Sequence, residues 1–276
     1  MVMRELAGEL KNSLLKLGLT PESASLEALE LACFAAGIPR DRYFFSLERE
    51  LPLKIQPEEL TARRASGEPL AYIIGEWDFY GITLKTDRRA LVPRDDSVSV
   101  LELFLEKLPE TAGEILDLCT GTGCLGIAAA KAREDIRAVL ADLSPDALDL
   151  AKENCSLCGL ADRVSVVPAD AFGKPPFDDG VFGGMICNPP YLRTDELDMK
   201  TPEPLMALDG GEDGLNFYRA VASGWKRVLK PGAPLCFEVG MGQDADVAEI
   251  LKSEGFSGVA TGKDLSGITR AVCAFK

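Results

Sequence analysis

From Glu114 to the C-terminus, short apolar runs alternate with longer stretches of helical period, and that alternation leaves few folds open. Strand-like runs cover 114–119, 137–142, 164–168, 183–187, 233–239, 257–261 and 270–275, and helical patterns cover 123–133, 145–158, 215–229 and 244–254. Strands separated by helices predict an α/β fold, a mostly parallel sheet with helices on both faces. No helical pattern separates the last two runs, so they are expected to pair antiparallel. Open sheets of this kind bind ligands beyond the carboxyl ends of their strands. Residues just after each strand are therefore the first places to look for chemistry.

The first such end reads Asp117-Leu118-Cys119-Thr120-Gly121-Thr122-Gly123-Cys124-Leu125-Gly126 and runs into a helix. Glycines there allow a tight turn and a close ligand approach, and the helix start offers free N–H groups. Asp142 ends the second strand, where a carboxylate can accept both hydroxyls of a ribose. Asp170 follows the third, placed to accept from an adenine amino group. Gly121, Gly123 and Gly126 with Asp142 downstream also fit a dinucleotide fingerprint. Asp117 shifts the balance: a carboxylate just before the loop can face the ammonium of S-adenosylmethionine but repels a pyrophosphate. Each feature also has a plainer reading. Gly126 can serve helix–strand packing alone, and Asp142 can cap the helix starting near Ser144-Pro145.

The fourth end reads Asn188-Pro189-Pro190-Tyr191. Consecutive prolines fix the backbone and supply no N–H, so the Asn188 side chain and the Pro189 carbonyl are presented rigidly. Acceptors beside an aromatic face suit a planar group that carries NH2, either an amide or the exocyclic amine of a base. The plainer reading is a turn that ends a strand. Residues 192–214 follow without periodicity, a loop long enough to act as a lid or recognition segment.

The formal net charge of −14 disfavours a broad nucleic-acid footprint, which needs lysine and arginine to neutralise phosphates. No run is long or apolar enough to span a membrane. Histidine is absent, so a hydrolase triad built on it is excluded, and the lone Cys155-x-x-Cys158 pair does not suffice for zinc; no metal site is expected. Cys119, Cys187, Cys236 and Cys273 fall in core strands and read as buried, reduced thiols of a cytoplasmic protein.

Residues 1–75 read as a small helical bundle. Leu6, Leu10, Leu14 and Leu17 form one stripe, Thr20-Pro21-Glu22 starts a second helix and Gly37 stops it, and a third runs from Pro57 to Ser66. Residues 76–93 change to period two: Phe79, Ile82 and Leu84, then Ala90-Leu91-Val92 beyond Thr86-Asp87, read as a hairpin linker. Residues 94–276 form the larger domain. It opens on an amphipathic helix over 97–108 with Val98, Leu101, Leu105 and Leu108 inward and Asp96 as N-cap.

Taken together, the glycine loop, the acidic ribose ligand and Asn188-Pro189-Pro190-Tyr191 resemble amino-methyltransferases that use S-adenosylmethionine. Further stretches resemble the HemK/PrmC family across essentially the whole chain. These are Gly67-Glu68-Pro69-Leu70-Ala71-Tyr72-Ile73-Ile74-Gly75, Phe79-Tyr80, Leu91-Val92-Pro93-Arg94, Glu203-Pro204, Ala207-Leu208-Asp209-Gly210-Gly211, Asp213-Gly214-Leu215 and Lys263 to Arg270. The resemblance implies a Rossmann-like methyltransferase domain with a small N-terminal helical domain for substrate recognition. It implies methylation of the glutamine amide in the Gly-Gly-Gln motif of peptide chain release factors, by a monomer that contacts neither nucleic acid nor membrane. By match, Cys119, Thr120, Gly121, Thr122, Gly123, Asp142, Asp170, Ala171 and Asn188 contact the cofactor, and Asn188, Pro189, Pro190 and Tyr191 hold the glutamine.

The chain departs from the family pattern in places. Cys119 stands where glycine is common, Asp95-Asp96-Ser97-Val98 lacks the usual proline and second acidic residue, and Ala171 replaces a frequent aromatic, with Phe172 beside it. The alternatives are a ribosomal-protein glutamine methyltransferase, a DNA adenine methyltransferase and a non-catalytic release-factor or cofactor-binding protein.

Overall fold

The computed structural model describes residues 1–276 and resolves into two compact units, Met1–Glu76 and Trp77–Lys276. In the first, α1 (Met3–Lys16) and α2 (Pro21–Ala36) pack with α3 (Tyr43–Ser46), α4 (Pro57–Ala65) and α5 (Leu70–Ile74). Leu6, Leu10 and Leu14 form the expected stripe and meet Leu31 and Leu60 in one core, while Leu17 stays exposed. Thr20 caps α2 by accepting the Ser23 N–H, and Gly37 ends it in the left-handed region. Arg63 and Arg64 are internal ties: each makes a two-bond pair, to Glu68 and to Glu27 respectively. The Leu70–Ile74 stretch closes the helical unit as its last helix.

A hairpin of β1 (Glu76–Phe79) and β2 (Ile82–Lys85) follows. Its turn is Tyr80-Gly81, not Thr86-Asp87, because both turn residues have positive φ, 46° and 77°. That is the geometry a two-residue turn between twisted strands needs. Ala90-Leu91-Val92 is consequently no strand; it becomes an extended loop. Nor does Asp96 cap the next helix, α6 (Val98–Lys107). It sits in a 3-10 turn over Asp95–Ser97 and pairs instead with Arg270 at 3.0 Å.

The remaining elements are β3 (Glu114–Leu118), α7 (Cys124–Ala132), β4 (Arg137–Asp142), α8 (Pro145–Leu157), β5 (Val164–Pro168), β6 (Met185–Cys187), α9 (Asn216–Gly224), β7 (Pro234–Glu238), α10 (Asp244–Ser253), β8 (Ser257–Lys263) and β9 (Thr269–Phe275). They build a seven-stranded sheet of order β5-β4-β3-β6-β7-β9-β8. All neighbours are parallel except β9, which pairs antiparallel with both β7 and β8. One apolar layer, with Leu101, Phe104 and Leu140, covers one face, and a second, with Tyr218, Trp225 and Phe237, covers the other. No helix is long and apolar enough to cross a membrane.

β6 is shorter than the predicted run because Gly183 and Gly184 are needed for packing. A Cβ on Gly183 would lie 2.0 Å from the Ala112 carbonyl oxygen, and one on Gly184 would lie 2.5 Å from the Leu108 side chain. One cysteine expectation also fails. Cys236 and Cys273 stand directly opposite in the β7–β9 register and form a disulfide, whereas Cys119 and Cys187 are free.

Candidate active site

The strand order reverses between β3 and β6. Leu118 and Cys187 are register partners, so the Cys119–Gly123 loop and the Asn188–Tyr191 turn leave the sheet side by side. This is the crevice where open α/β sheets bind ligands. A pocket opens there. Its wall includes Cys119, Thr120, Gly121 and Thr122 from the loop, Asp142 after β4, Asp170 and Ala171 after β5, and Asn188 and Pro190 after β6. Residues far apart in sequence thus converge on one cavity.

The loop is held from below. Asp117 is fully buried, and its Oδ2 accepts the Thr120 hydroxyl at 2.6 Å and the Gly126 N–H at 2.9 Å. Its Oδ1 has no partner. Burial pushes the Asp117 pKa to about 7; its two hydrogen bonds pull the other way, and Asp142 adds to the rise. Asp117 is not part of the pocket wall. Gly126 packs as its plainer reading holds: a Cβ there would lie 2.3 Å from the Leu140 side chain. Gly123 has φ 86° and a Cβ would press Ile127 at 2.8 Å, so loop and helix demand glycine at both positions. Cys119 also has positive φ, 60°, without being glycine.

Asp142 does two things at once. Its Oδ2 accepts the Gly121 N–H and its Oδ1 the Ser144 N–H, both at 2.9 Å, while it also lines the pocket. Burial raises its pKa. The helix cap belongs to Ser144, which accepts the Ala147 N–H. Asp170 makes a local turn, its Oδ1 accepting the Phe172 N–H, and remains exposed in the pocket wall. Phe172 and Phe217 meet edge to face at 4.7 Å and both line the cavity, which supplies aromatic surface beside the small Ala171.

Of the Asn188–Tyr191 stretch, Asn188 and Pro190 reach the pocket; Pro189 is buried, and Tyr191 packs against the apolar layer that holds Tyr218. The turn is clamped by the long loop after it. The Leu192 N–H donates to the Leu208 carbonyl, the Leu192 carbonyl accepts the Gly210 N–H, and the Tyr191 carbonyl accepts from the Gln243 side chain at 3.0 Å. A Cβ on Gly210 would lie 2.8 Å from Tyr191 Cα, and one on Gly214 would lie 2.4 Å from the Tyr191 oxygen. The same loop supplies Pro204, Met206 and Ala207 to the pocket wall. Glu203 accepts the Val92 N–H at 3.1 Å and pairs with Arg94, pinning the Ala90–Arg94 segment that forms the opposite wall.

Sequence reading missed Ser97, Glu203, Phe217 and Glu238. Ser97 lines the pocket beside Asn188. Glu238 ends β7 and is buried, with its pKa pushed up to about 7 by that burial. One signal for it was available: it is the single charge in the apolar run Pro234–Val239.

The donor set can be tested for S-adenosylmethionine. An unpartnered buried carboxylate oxygen under a glycine loop, a second carboxylate in the wall and two aromatic rings suit a cationic, ribose-bearing, flat ligand. The residues present fit.

Comparison with known proteins bears on the family of the whole chain. Residues 96–207 match the family described as Methyltransferase small domain, and residues 9–75 match the PrmC N-terminal domain. A release factor glutamine methyltransferase of Clostridium acetobutylicum is 34% identical, the alignment covering 87% of each chain. One from Thermodesulfovibrio yellowstonii is 38% identical over 78% of this chain and 79% of its own. Among solved structures, the hMettl16 catalytic domain superposes with TM-score 0.57 at 15% identity, covering 82% of this chain and 84% of that one. A methyltransferase from Pyrococcus furiosus gives 0.53 at 16% identity, covering 72% and 90%. These two likenesses bear on the fold alone.

Proposed function

The chain belongs to the release factor glutamine methyltransferase family, and from that premise we propose how its residues divide the reaction. It is an S-adenosylmethionine-dependent enzyme that methylates release factor glutamine. The acceptor in this reading is the side-chain amide nitrogen of the glutamine in a Gly-Gly-Gln motif. The observation that carries it is the presence of Asn188 in the wall of the same pocket as the Cys119–Thr122 loop and Asp142.

When bound, S-adenosylmethionine supplies an electrophilic methyl group that an in-line nucleophile can displace. The loop Cys119–Gly123, Asp142, Asp170 and Ala171 hold it, with Asp117 setting the loop and its charge. An amide nitrogen is a weak nucleophile because its lone pair is delocalised. Asn188 Oδ1 and the Pro189 carbonyl accept its two hydrogens, orient it and favour the positive charge that develops there. Pro190 and the Tyr191 backbone keep that turn rigid, and the Tyr191 ring backs the amide plane. The proton leaves to solvent after transfer. Residues 1–75 recognise the release factor, which the match of residues 9–75 to the PrmC N-terminal domain supports. The enzyme works as a cytoplasmic monomer that does not contact nucleic acid.

The test is methyl transfer from labelled S-adenosylmethionine to a purified release factor, beside the same factor with its Gly-Gly-Gln glutamine replaced. Label on the first and none on the second is expected. Label on both would move the target elsewhere, with a ribosomal protein and DNA tested next.

A further inference from the structure

Behind Asn188 stands a chain of side chains that the reaction scheme above leaves idle. Asn188 Nδ2 faces the Ser97 hydroxyl oxygen at 3.5 Å. The Ser97 hydroxyl adjoins the Glu238 carboxylate and opposes the upward shift of its pKa. The Tyr191 hydroxyl faces Glu238 Oε1, also at 3.5 Å. Ser97 is 1% exposed and Glu238 2%, and Glu238 Oε2 has no partner. A carboxylate in this position costs stability, and no charge is paired with it directly. Arg270, the cation that acts on it, is already bound to Asp96 at 3.0 Å and to Asp264 at 3.1 Å.

Hydrogen-bond polarity gives the carboxylate a task. An ionised carboxylate accepts and cannot donate. Ser97 has one proton, and an ionised Glu238 beside it attracts that proton as an acceptor. The Ser97 oxygen is then left to accept, and the partner it faces is the Asn188 NH2. That turns the Asn188 NH2 inward and leaves Oδ1 free for the pocket. The opposite amide orientation would set NH2 against the NH2 of the acceptor glutamine, donor against donor.

We propose that Glu238 is a positioning residue for methyl transfer: through Ser97 it fixes the Asn188 amide so that its oxygen, not its NH2, meets the acceptor amide, while it also tethers the Tyr191 hydroxyl. The proposal rests on the glutamine methyltransferase reading. Protonation of Glu238 adds a donor to the chain and frees Ser97 to donate toward Asn188, so the orientation is lost at low pH. The groups facing Glu238 are accounted for. Burial and Asp96 hold its pKa up near 7, while Ser97, Tyr191 and Arg270 oppose them. Tyr218 donates to its backbone carbonyl at 2.9 Å, and Cys124 is a neutral thiol whose pKa is raised to about 12.

The experiment measures kcat at saturating donor and release factor from pH 5.5 to 9, for wild type, Glu238→Gln, Ser97→Ala and Ser97→Thr, with donor binding measured alongside. Wild-type kcat is expected to rise through pH 7. Glu238→Gln and Ser97→Ala are expected to lose about 10- to 100-fold in kcat, the scale of a misplaced catalytic group, and to flatten the profile. Donor affinity should hold in both, and Ser97→Thr, which keeps the hydroxyl, should restore rate and profile. A Glu238→Gln enzyme with wild-type kcat and an unchanged pH limb would overturn the proposal. So would equal losses in Ser97→Ala and Ser97→Thr. A second readout does not need the acceptor: the side-chain 15N–H signals of Asn188, assigned by their loss in Asn188→Ala, should shift through pH 7 in wild type and not in Glu238→Gln. If wild type binds the donor yet leaves the release factor unlabelled, the glutamine reading falls, and those signals still decide the relay: no shift in wild type would overturn it.

Discussion

Asn188 is the one side chain that must serve both the acceptor and the wall of the donor pocket, so its removal separates binding from chemistry. Asn188→Ala is expected to lower kcat by about 100-fold or more, the usual scale for deleting one preorganised polar contact to the reacting group. The donor Kd should change by no more than about threefold, well within the cost of one weak contact. Equal losses in both would contradict the role assigned to it, and equilibrium titration beside single-turnover kinetics reads the two separately. Asp117 makes a different demand. It titrates near 7 in the free protein, and a cationic donor favours its ionised form. Donor affinity should therefore strengthen as pH rises from 6 to 8, and Asp117→Asn should remove that slope, read by calorimetric titration in two buffers of different ionisation heat. Cys119, with φ 60°, holds a backbone position that glycine occupies without strain. Cys119→Gly is expected to change stability by less than about 1 kcal/mol, because relief of left-handed strain is offset by the added freedom of the unfolded chain.

The pocket depends on how elements are latched as much as on which residues line it. Glu203 sits in the loop after the Asn188 turn and ties down the segment after the hairpin, through the Val92 N–H and Arg94. Glu203→Ala should release both walls together. Donor binding is expected to weaken several-fold, while the thermal midpoint moves little, since a partly exposed ion pair contributes only about 1 kcal/mol. The sheet, the glycine loop and the placement of Asp142 and Asn188 were legible in the sequence because each follows from a local pattern: a strand-length apolar run, a glycine where a Cβ cannot fit, a polar residue at a strand end. The hairpin turn was misplaced because Tyr80 adopts a left-handed conformation that composition does not advertise. Asp96 was misassigned because its partner, Arg270, lies 174 positions away and only the β9 register brings it close. Ser97, Phe217 and Glu203 were missed for the same reason: their importance lies in what the fold sets opposite them.

At the scale of the whole molecule, the two buried carboxylates set how stability depends on pH. Glu238 and Asp117 both have folded pKa values raised to about 7, from 4.5 and 3.8. Between the unfolded and folded values the native state binds more protons than the unfolded state, so stability falls as pH rises through that window. Asp87, Asp135 and Asp264 have lowered values, and the stability they contribute is present above the ordinary aspartate range and lost below it. The donor-free protein should therefore be most stable near pH 4, where the two windows meet, and the net charge of −14 at pH 7 steepens the decline above it. Glu238→Gln isolates one contribution. Raising a carboxyl from 4.5 to about 7 corresponds to a penalty on the order of 3 kcal/mol once it is ionised. The variant should match wild type at pH 4.5 and exceed it in stability at pH 8, measured by urea denaturation at each pH. Such a gain, joined to a loss of kcat, would mean the enzyme keeps a destabilising charge for its reaction. A variant no more stable than wild type at pH 8 would show that Glu238 is not the strained group its burial implies.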